Sequence, residues 1–343
     1  MERILPLVYD EYSVGSDPER DYTFLDNAAY NVFQGDMVAA EKGAVLTVYK
    51  DQAVYPAPSG GIGGNEGNTD ADYFCVIRGE SPALDDMPVF YSDNDFRILW
   101  FNFDEYMRIY DLAVIGENNN DDYSTSQTAF LAEDGITLVG CYASIQDHRE
   151  NEGVAQLVAF EGDGDFVACV AYDMQVDQAG AYIFNHSSIA GTSNLKNCTF
   201  RNPNALLNSI GVVGVDIGTT VINATNLLLQ DNTLDFFEVT GYGGSLVINK
   251  AGNKTSGASF GGLGFNTLAD LTGGVAGTVS EDFFGNVVPT GSDFVGATYV
   301  GGGPPPAAPK ILEGKSKTIG PALSKIIGRN ISHRLKKEKF IIH

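Results

Sequence analysis

Basic side chains are scarce over most of this chain. Of its 343 residues 21 are Lys or Arg against 44 Asp or Glu, and nine of the basic ones crowd into residues 310–343. That stretch has two acids, so residues 1–309 hold 12 basic and 42 acidic side chains, a net charge of −30. Such a surface repels nucleic acid and anionic lipid, and it favours solubility at high copy number. No window approaches the roughly 20 apolar residues of a membrane span. The opening Met1-Glu2-Arg3-Ile4-Leu5-Pro6 carries neither an apolar run nor a cleavage pattern. The expectation is synthesis in a cytosol without a signal peptide.

Signatures of chemistry are also missing. Cys75, Cys141, Cys169 and Cys198 form no CxxC and no cysteine–histidine ligand spacing, which argues against zinc. They read as free, buried, small hydrophobes. His148, His186, His333 and His343 belong to no HExxH pattern and no nucleophile elbow. The Gly-rich stretches lack the residues of a phosphate-binding loop. No LxxLxL pattern recurs, so leucine-rich repeats are excluded as well.

What is present is glycine, 40 of them, with frequent Asn and Asp, as expected for tight turns between short strands. A degenerate repeat runs through the middle: Ile109-Tyr110-Asp111-Leu112, Leu138-Val139-Gly140-Cys141, Ala168-Cys169-Val170-Ala171, Leu195-Lys196-Asn197-Cys198, Val221-Ile222-Asn223-Ala224 and Val247-Ile248-Asn249-Lys250. Their third positions lie 26 to 30 residues apart. A period of this size with short strands and no room for a long helix predicts an all-β parallel β-helix solenoid. Asn197, Asn223 and Asn249 should then stack as an asparagine ladder at a turn. Cys141 and Cys198 should share a register two coils apart, roughly 9.6 Å along the axis, too far for a disulfide. Ala44–Tyr49, Phe74–Arg78 and Phe96–Phe101 look like further coils, extending the stack to about eight. A short amphipathic helix with Thr23 as N-cap and Asp26 three residues on would seal the N-terminal end through Leu25, Ala28, Ala29 and Val32.

Asp21-Tyr22-Thr23 leading into that helix, then Gln34-Gly35-Asp36-Met37-Val38 and a β-prone run, resembles the entry module of pectate-lyase-like right-handed β-helix proteins. More narrowly, it is similar to uncharacterised β-helix virion proteins of tailed bacteriophages. The resemblance spans roughly residues 20–250 and implies fold more than activity, because this fold hosts lyases, hydrolases and non-enzymatic spikes alike.

The expected organisation is an N-terminal segment and capping helix (1–35), the β-helix (36–250), and a Gly/Thr-rich β cap or oligomer contact region (251–300). A Gly/Pro linker (301–309) and a basic amphipathic anchoring tail (310–343) complete it. In the tail Leu323, Ile327, Ile331 and Leu335 alternate with Lys325, Arg329, Arg334 and Lys336, the pattern of a basic helix that orders on binding a partner. Carboxylates suited to glycoside hydrolysis concentrate at Asp147 and Glu150, with Asp173 about one coil further on. Glu161–Asp165 and Asn118–Asp122 could offer oxygen ligands to Ca2+, although a plain acidic turn explains both.

The expected role is a structural virion protein, a capsid decoration or spike anchored to other capsid or tail proteins by residues 310–343. The tail would bind protein, not nucleic acid or membrane. By analogy with spikes the chain would be a homotrimer. The alternatives are a tailspike depolymerase acting on host glycan, or a non-catalytic adhesin with Tyr142 and Tyr172 exposed.

Overall fold

The computed structural model describes residues 3–58, 61–62, 68–92, 97–101, 106–118, 127–133, 135–147, 156–172, 174, 180–186, 190–201, 209–255 and 272–299. Its strands form three parallel sheets. Sheet 1 stacks β1 (Tyr9–Val14), β2 (Gly43–Val48), β4 (Cys75–Gly79), β7 (Met107–Tyr110), β10 (Ile136–Val139), β13 (Asp165–Val167), β16 (Thr192–Lys196), β19 (Thr219–Thr225) and β22 (Ser245–Ala251). Sheet 2 stacks β3 (Tyr55–Pro56), β5 (Val89–Ser92), β8 (Ala113–Asn118), β11 (Tyr142–Asp147), β14 (Val170–Tyr172), β17 (Thr199–Arg201) and β20 (Leu228–Gln230). Sheet 3 stacks β6 (Arg97–Phe101), β9 (Gln127–Ala132), β12 (Gln156–Gly162), β15 (Gly180–His186), β18 (Ser209–Val215) and β21 (Leu234–Val239). The chain visits the sheets in rotation, so each strand pairs with its counterpart one coil on. This is a parallel β-helix.

The interior follows from alternation: every second side chain of a strand faces the axis. In sheet 1 the inward column is Leu46, Ile77, Ile109, Leu138, Phe166, Leu195 and Ala224. Sheet 3 contributes Leu99, Phe130, Phe160, Phe184 and Val212, with the Phe130 and Phe160 rings stacked at 5.4 Å. The inward rungs of sheet 2 include the small Ala143 and Ala171, which leave room for the phenylalanine stack, and all these side chains belong to one buried cluster. Large opposite small is how layers interdigitate without voids.

Two short helices sit at the start of the stack. Leu25, Ala28 and Ala29 of α1 (Leu25–Val32) are buried in the main core, so this helix seals the N-terminal end as its apolar face requires. Its N-cap is Phe24 and makes no side-chain cap bond. Thr23 is therefore not the cap: the helix starts later than its spacing suggested, and Asp26 falls inside the first turn, bonding the Asn27 N–H at 2.8 Å. A second helix, α2 (Met37–Ala40), is N-capped by Asp36, which accepts from the Ala39 N–H. Phe96–Phe101 is also placed differently from expectation. Its strand, β6, belongs to sheet 3 and closes the coil that β4 opens, so it is no separate coil.

Candidate functional site

The true repeat is set by backbone conformation at the corner between sheets 1 and 2. Asp111, Gly140, Ala168, Asn197, Asn226 and Gly252 all have positive φ, between 49° and 65°. Each corner N–H reaches the carbonyl before the next corner: Asp111 to Val139, Gly140 to Val167, Ala168 to Lys196, Asn197 to Thr225 and Asn226 to Ala251, at 2.9–3.2 Å. Left-handed backbone favours Gly, Asn and Asp, which explains five of the six residues; nothing in the structure explains alanine at 168. The expected register is thus correct at 111, 140 and 197. It is two or three residues off at 170, 223 and 249, where matching apolar runs displaced the corner.

The shift redraws the asparagine ladder. Asn249 donates to Asn223 Oδ1 at 2.8 Å, Asn223 to Asn194 Oδ1 at 2.8 Å, and Asn194 to Asp165 Oδ1 at 2.7 Å. These four occupy one outward column of sheet 1. Asn197 is not among them; it stands at the corner, stacked on Asn226. The same register aligns Cys141, Cys169 and Cys198 in consecutive coils, all free and buried. Cys141 and Cys198 are two coils apart as expected, with Cys169 between them.

The corner asparagines hold residues 272–299, which run along the outside of the stack. Asn226 accepts from the Val275 N–H at 2.7 Å and donates to the Val275 carbonyl and Thr278 Oγ1 at 2.8 and 2.9 Å. Asn197 donates to the Phe294 carbonyl at 3.0 Å and accepts from the Thr278 hydroxyl. Gly296 N–H bonds the Asn226 carbonyl, and Ala297 N–H bonds Thr199 Oγ1, both at 2.8 Å. The strap folds on itself through Gly274–Asp293, Val288–Ser280 and Phe283–Ala297 backbone bonds. At its turn Asp282 accepts from the N–H groups of Phe284, Asn286 and Tyr299 at 2.8–3.0 Å. Burial lifts the Asp282 carboxyl above the usual carboxylate range, against the pull of these donors.

Apolar contacts complete the attachment. Val279, Val288 and Phe294 lie in a buried cluster with the outward-facing Val45, Val76, Tyr110, Val139 and Val167 of sheet 1. Phe283 and Ala297 likewise join Tyr142, Val170 and Tyr172 on the outside of sheet 2. Covering a Val or Tyr in this way stabilises by about 1.5–3 kcal/mol per side chain. Arg3 ties the N-terminal segment to the same place. Its guanidinium meets Asp111 at 2.7 Å and Glu281 at 2.8 Å, and donates to the carbonyls of Asp282 and Phe283. Burial works against its charge, but Asp111 and Glu281 outweigh that and hold its pKa above the ordinary arginine value.

The strap therefore brings Tyr299 onto the flank of the stack, against Phe294 and the Asp282 turn. The chain leaves the described region there, mid-stack, and not at the end of the rod. Leu323, Lys325, Ile327, Arg329, Ile331, Arg334, Leu335 and Lys336 lie outside the described residues, as do Glu150 and Asp173. Asp147 ends β11 opposite Asn118. Tyr142 and Tyr172 are buried, which corrects the expectation of an exposed aromatic face. Of the oxygen-ligand segments, Glu161 accepts from Thr128 at 2.9 Å and Asp165 from Asn194, while residues 119–122 are outside the description. Among the described residues no three His, Cys, Asp or Glu side chains converge as a metal site.

His186 and Ser193 approach to 2.5 Å, a pair the sequence reading passed over. Both are buried, and the Ser193 hydroxyl donates to the Gly162 carbonyl at 2.8 Å, which links the pair to the end of β12. Compared with protein-family models, with curated proteins and with solved structures, the chain matches none.

Proposed function

We propose that this protein is a non-enzymatic structural component of a bacteriophage particle, a stiff β-helix carried on the capsid surface and fastened through residues 310–343. The observation that carries the reading is the strap. Residues 272–299 are bonded to two successive corners and clamped by Arg3, so a pull on residue 300 is delivered to the side of a rigid stack. A displayed scaffold needs such a mechanical link between its body and its fastening segment. Supporting it is the charge reversal, −30 before residue 310 and +7 over residues 310–343. A strongly acidic body repels its neighbours, whereas a basic apolar segment suits an acidic groove on another virion protein.

The test compares the full chain with one ending at residue 309, each added to particles that lack the protein. The shorter chain should keep its circular dichroism spectrum and melting temperature while failing to co-sediment with particles. Binding by the full chain should weaken as ionic strength rises from about 0.05 to about 0.5 M, because the contact involves exposed charges. Normal incorporation of the shorter chain would rule the anchoring role out. Release of reducing ends or unsaturated uronate from host polysaccharide, lost on Asp147→Ala or Glu150→Ala, would replace the structural role with a depolymerase.

A further inference from the structure

The two ends of the stack are chemically unlike. At the start, α1 covers the core, and the edge strand β1 carries Asp10 and Glu11, paired with Lys42 and Arg78. Part of that edge is also occupied, since the Tyr22 N–H bonds the Ser13 carbonyl and the Gly15 N–H bonds the Tyr22 carbonyl. Charge and cover are the usual protections of a sheet edge. At the far end β22 has a strand neighbour on one side only among the described residues. Its sequence, Ser245-Leu246-Val247-Ile248-Asn249-Lys250-Ala251, contains no acid in a chain that is otherwise rich in them. Around it Leu234 is 45% exposed, Phe237 39%, Tyr242 69% and Val247 47%, and the acids of this terminal coil, Asp235 and Glu238, lie on β21.

The free edge has a defined hydrogen-bonding set. Ser245 N–H bonds the Gly218 carbonyl and the Ala251 carbonyl accepts from Asn226 N–H, so residues 245, 247, 249 and 251 face β19. In an extended strand alternate residues face opposite edges. The N–H and C=O groups of Leu246, Ile248 and Lys250 therefore point away from the stack.

We infer that two copies of this chain join end to end through β22, about a two-fold axis passing beside Ile248. Antiparallel pairing centred there lets Ile248 exchange both backbone bonds with Ile248 of the partner subunit. Leu246 then meets Lys250 of the partner subunit, which keeps the two lysines apart. A two-fold contact closes on itself and stops at two copies. Head-to-tail growth is blocked because the opposite end is covered by α1 and edged with carboxylates. The occupant is a second copy because this acid-free β strand with exposed Val247 matches its own antiparallel image in backbone bonds and apolar surface, in a register that keeps the two Lys250 side chains apart.

The experiment measures the full chain by mass photometry and sedimentation, alongside Lys250→Pro and Val247→Lys. The proline removes an N–H that faces the free edge and leaves the β19 ladder intact; the lysine puts two new cations opposite the joint. The wild-type chain should run at twice the 36.7 kDa chain mass. Each variant should dissociate at least tenfold more readily with an unchanged circular dichroism spectrum. The amides of Leu246, Ile248 and Lys250 should be protected in the dimer and exchange freely after dilution to monomer. A wild-type monomer or trimer at micromolar concentration overturns the inference, as does a dimer that both variants leave intact. Protection of those three amides in the monomer also overturns it, since the chain's own residues would then cover the edge.

Discussion

Asn226 acts on both sides of its backbone: its left-handed φ of 55° turns the coil, and its side chain holds the strap. Asn226→Ala should lose both roles and lower unfolding stability by about 2–4 kcal/mol, from left-handed strain plus unpaired buried groups. Asn226→Gly keeps the turn and loses only the side-chain bonds, so denaturant titration should find it milder by about 1 kcal/mol. Equal losses would mean that the turn carries no strain. The cysteine column gives a second expectation. Neighbouring rungs lie about 4.8 Å apart with parallel side-chain directions, wider than the ~3.8 Å between Cβ atoms of a disulfide. Burial pushes the Cys141 and Cys169 thiols well up. All four thiols should resist a thiol reagent in the native protein and react on unfolding, with no bridge found by mass spectrometry.

Carboxylates held below their ordinary range carry the acid end of the pH dependence. Backbone N–H groups of Gly241 and Tyr242 hold Asp216 below the usual range, and the Ser13 N–H and hydroxyl do the same for Asp21. The Thr47 hydroxyl, then Arg78, lowers Glu11 despite some burial. A carboxylate with a lowered folded pKa stabilises above its unfolded value, and that contribution is lost as pH falls through the folded one. The melting temperature should therefore fall as pH drops below about 4. Asp216→Asn should show a shallower fall, and an unchanged slope would remove Asp216 from the explanation.

At the scale of elements, the strap is the part whose attachment was hardest to foresee. Arg3→Ala leaves Asp111 and Glu281 facing each other without their shared cation, a loss of about 1–3 kcal/mol for a partly buried pair. Adding Asp111→Asn should restore part of it, because asparagine tolerates the left-handed corner and carries no charge. Limited proteolysis should cut between residues 272 and 299 sooner in Arg3→Ala than in the wild-type chain. A cycle without recovery would show that the strap is held by its apolar contacts alone. The strands of sheets 1 and 2 were legible because their apolar runs recur with turn residues at each corner. Residues 272–299 were not, since a segment with almost no regular strand has no period, and its partners lie 49 to 280 positions away in sequence.

For the whole molecule, the strap ends at Tyr299 on the flank of the stack, so a fastening through residues 310–343 would act on its side and leave the acid-free strand β22 available for a second copy. A flank-fastened pair would present two rods in line, each held at its side, and particle images should show densities twice the length of one stack. The sequence alone determined the solenoid, because a short period of β-prone runs cannot bury its apolar face except by stacking. It also determined the sealed first end, whose helix places its apolar residues on one side. Only the tertiary structure decided which residue occupies each corner, since that depends on φ and on the carbonyl one coil away. It alone placed Asn197 with the strap and Asn194 in the ladder, because a shift of three residues moves a side chain from strand to corner while leaving the run of residue types almost unchanged.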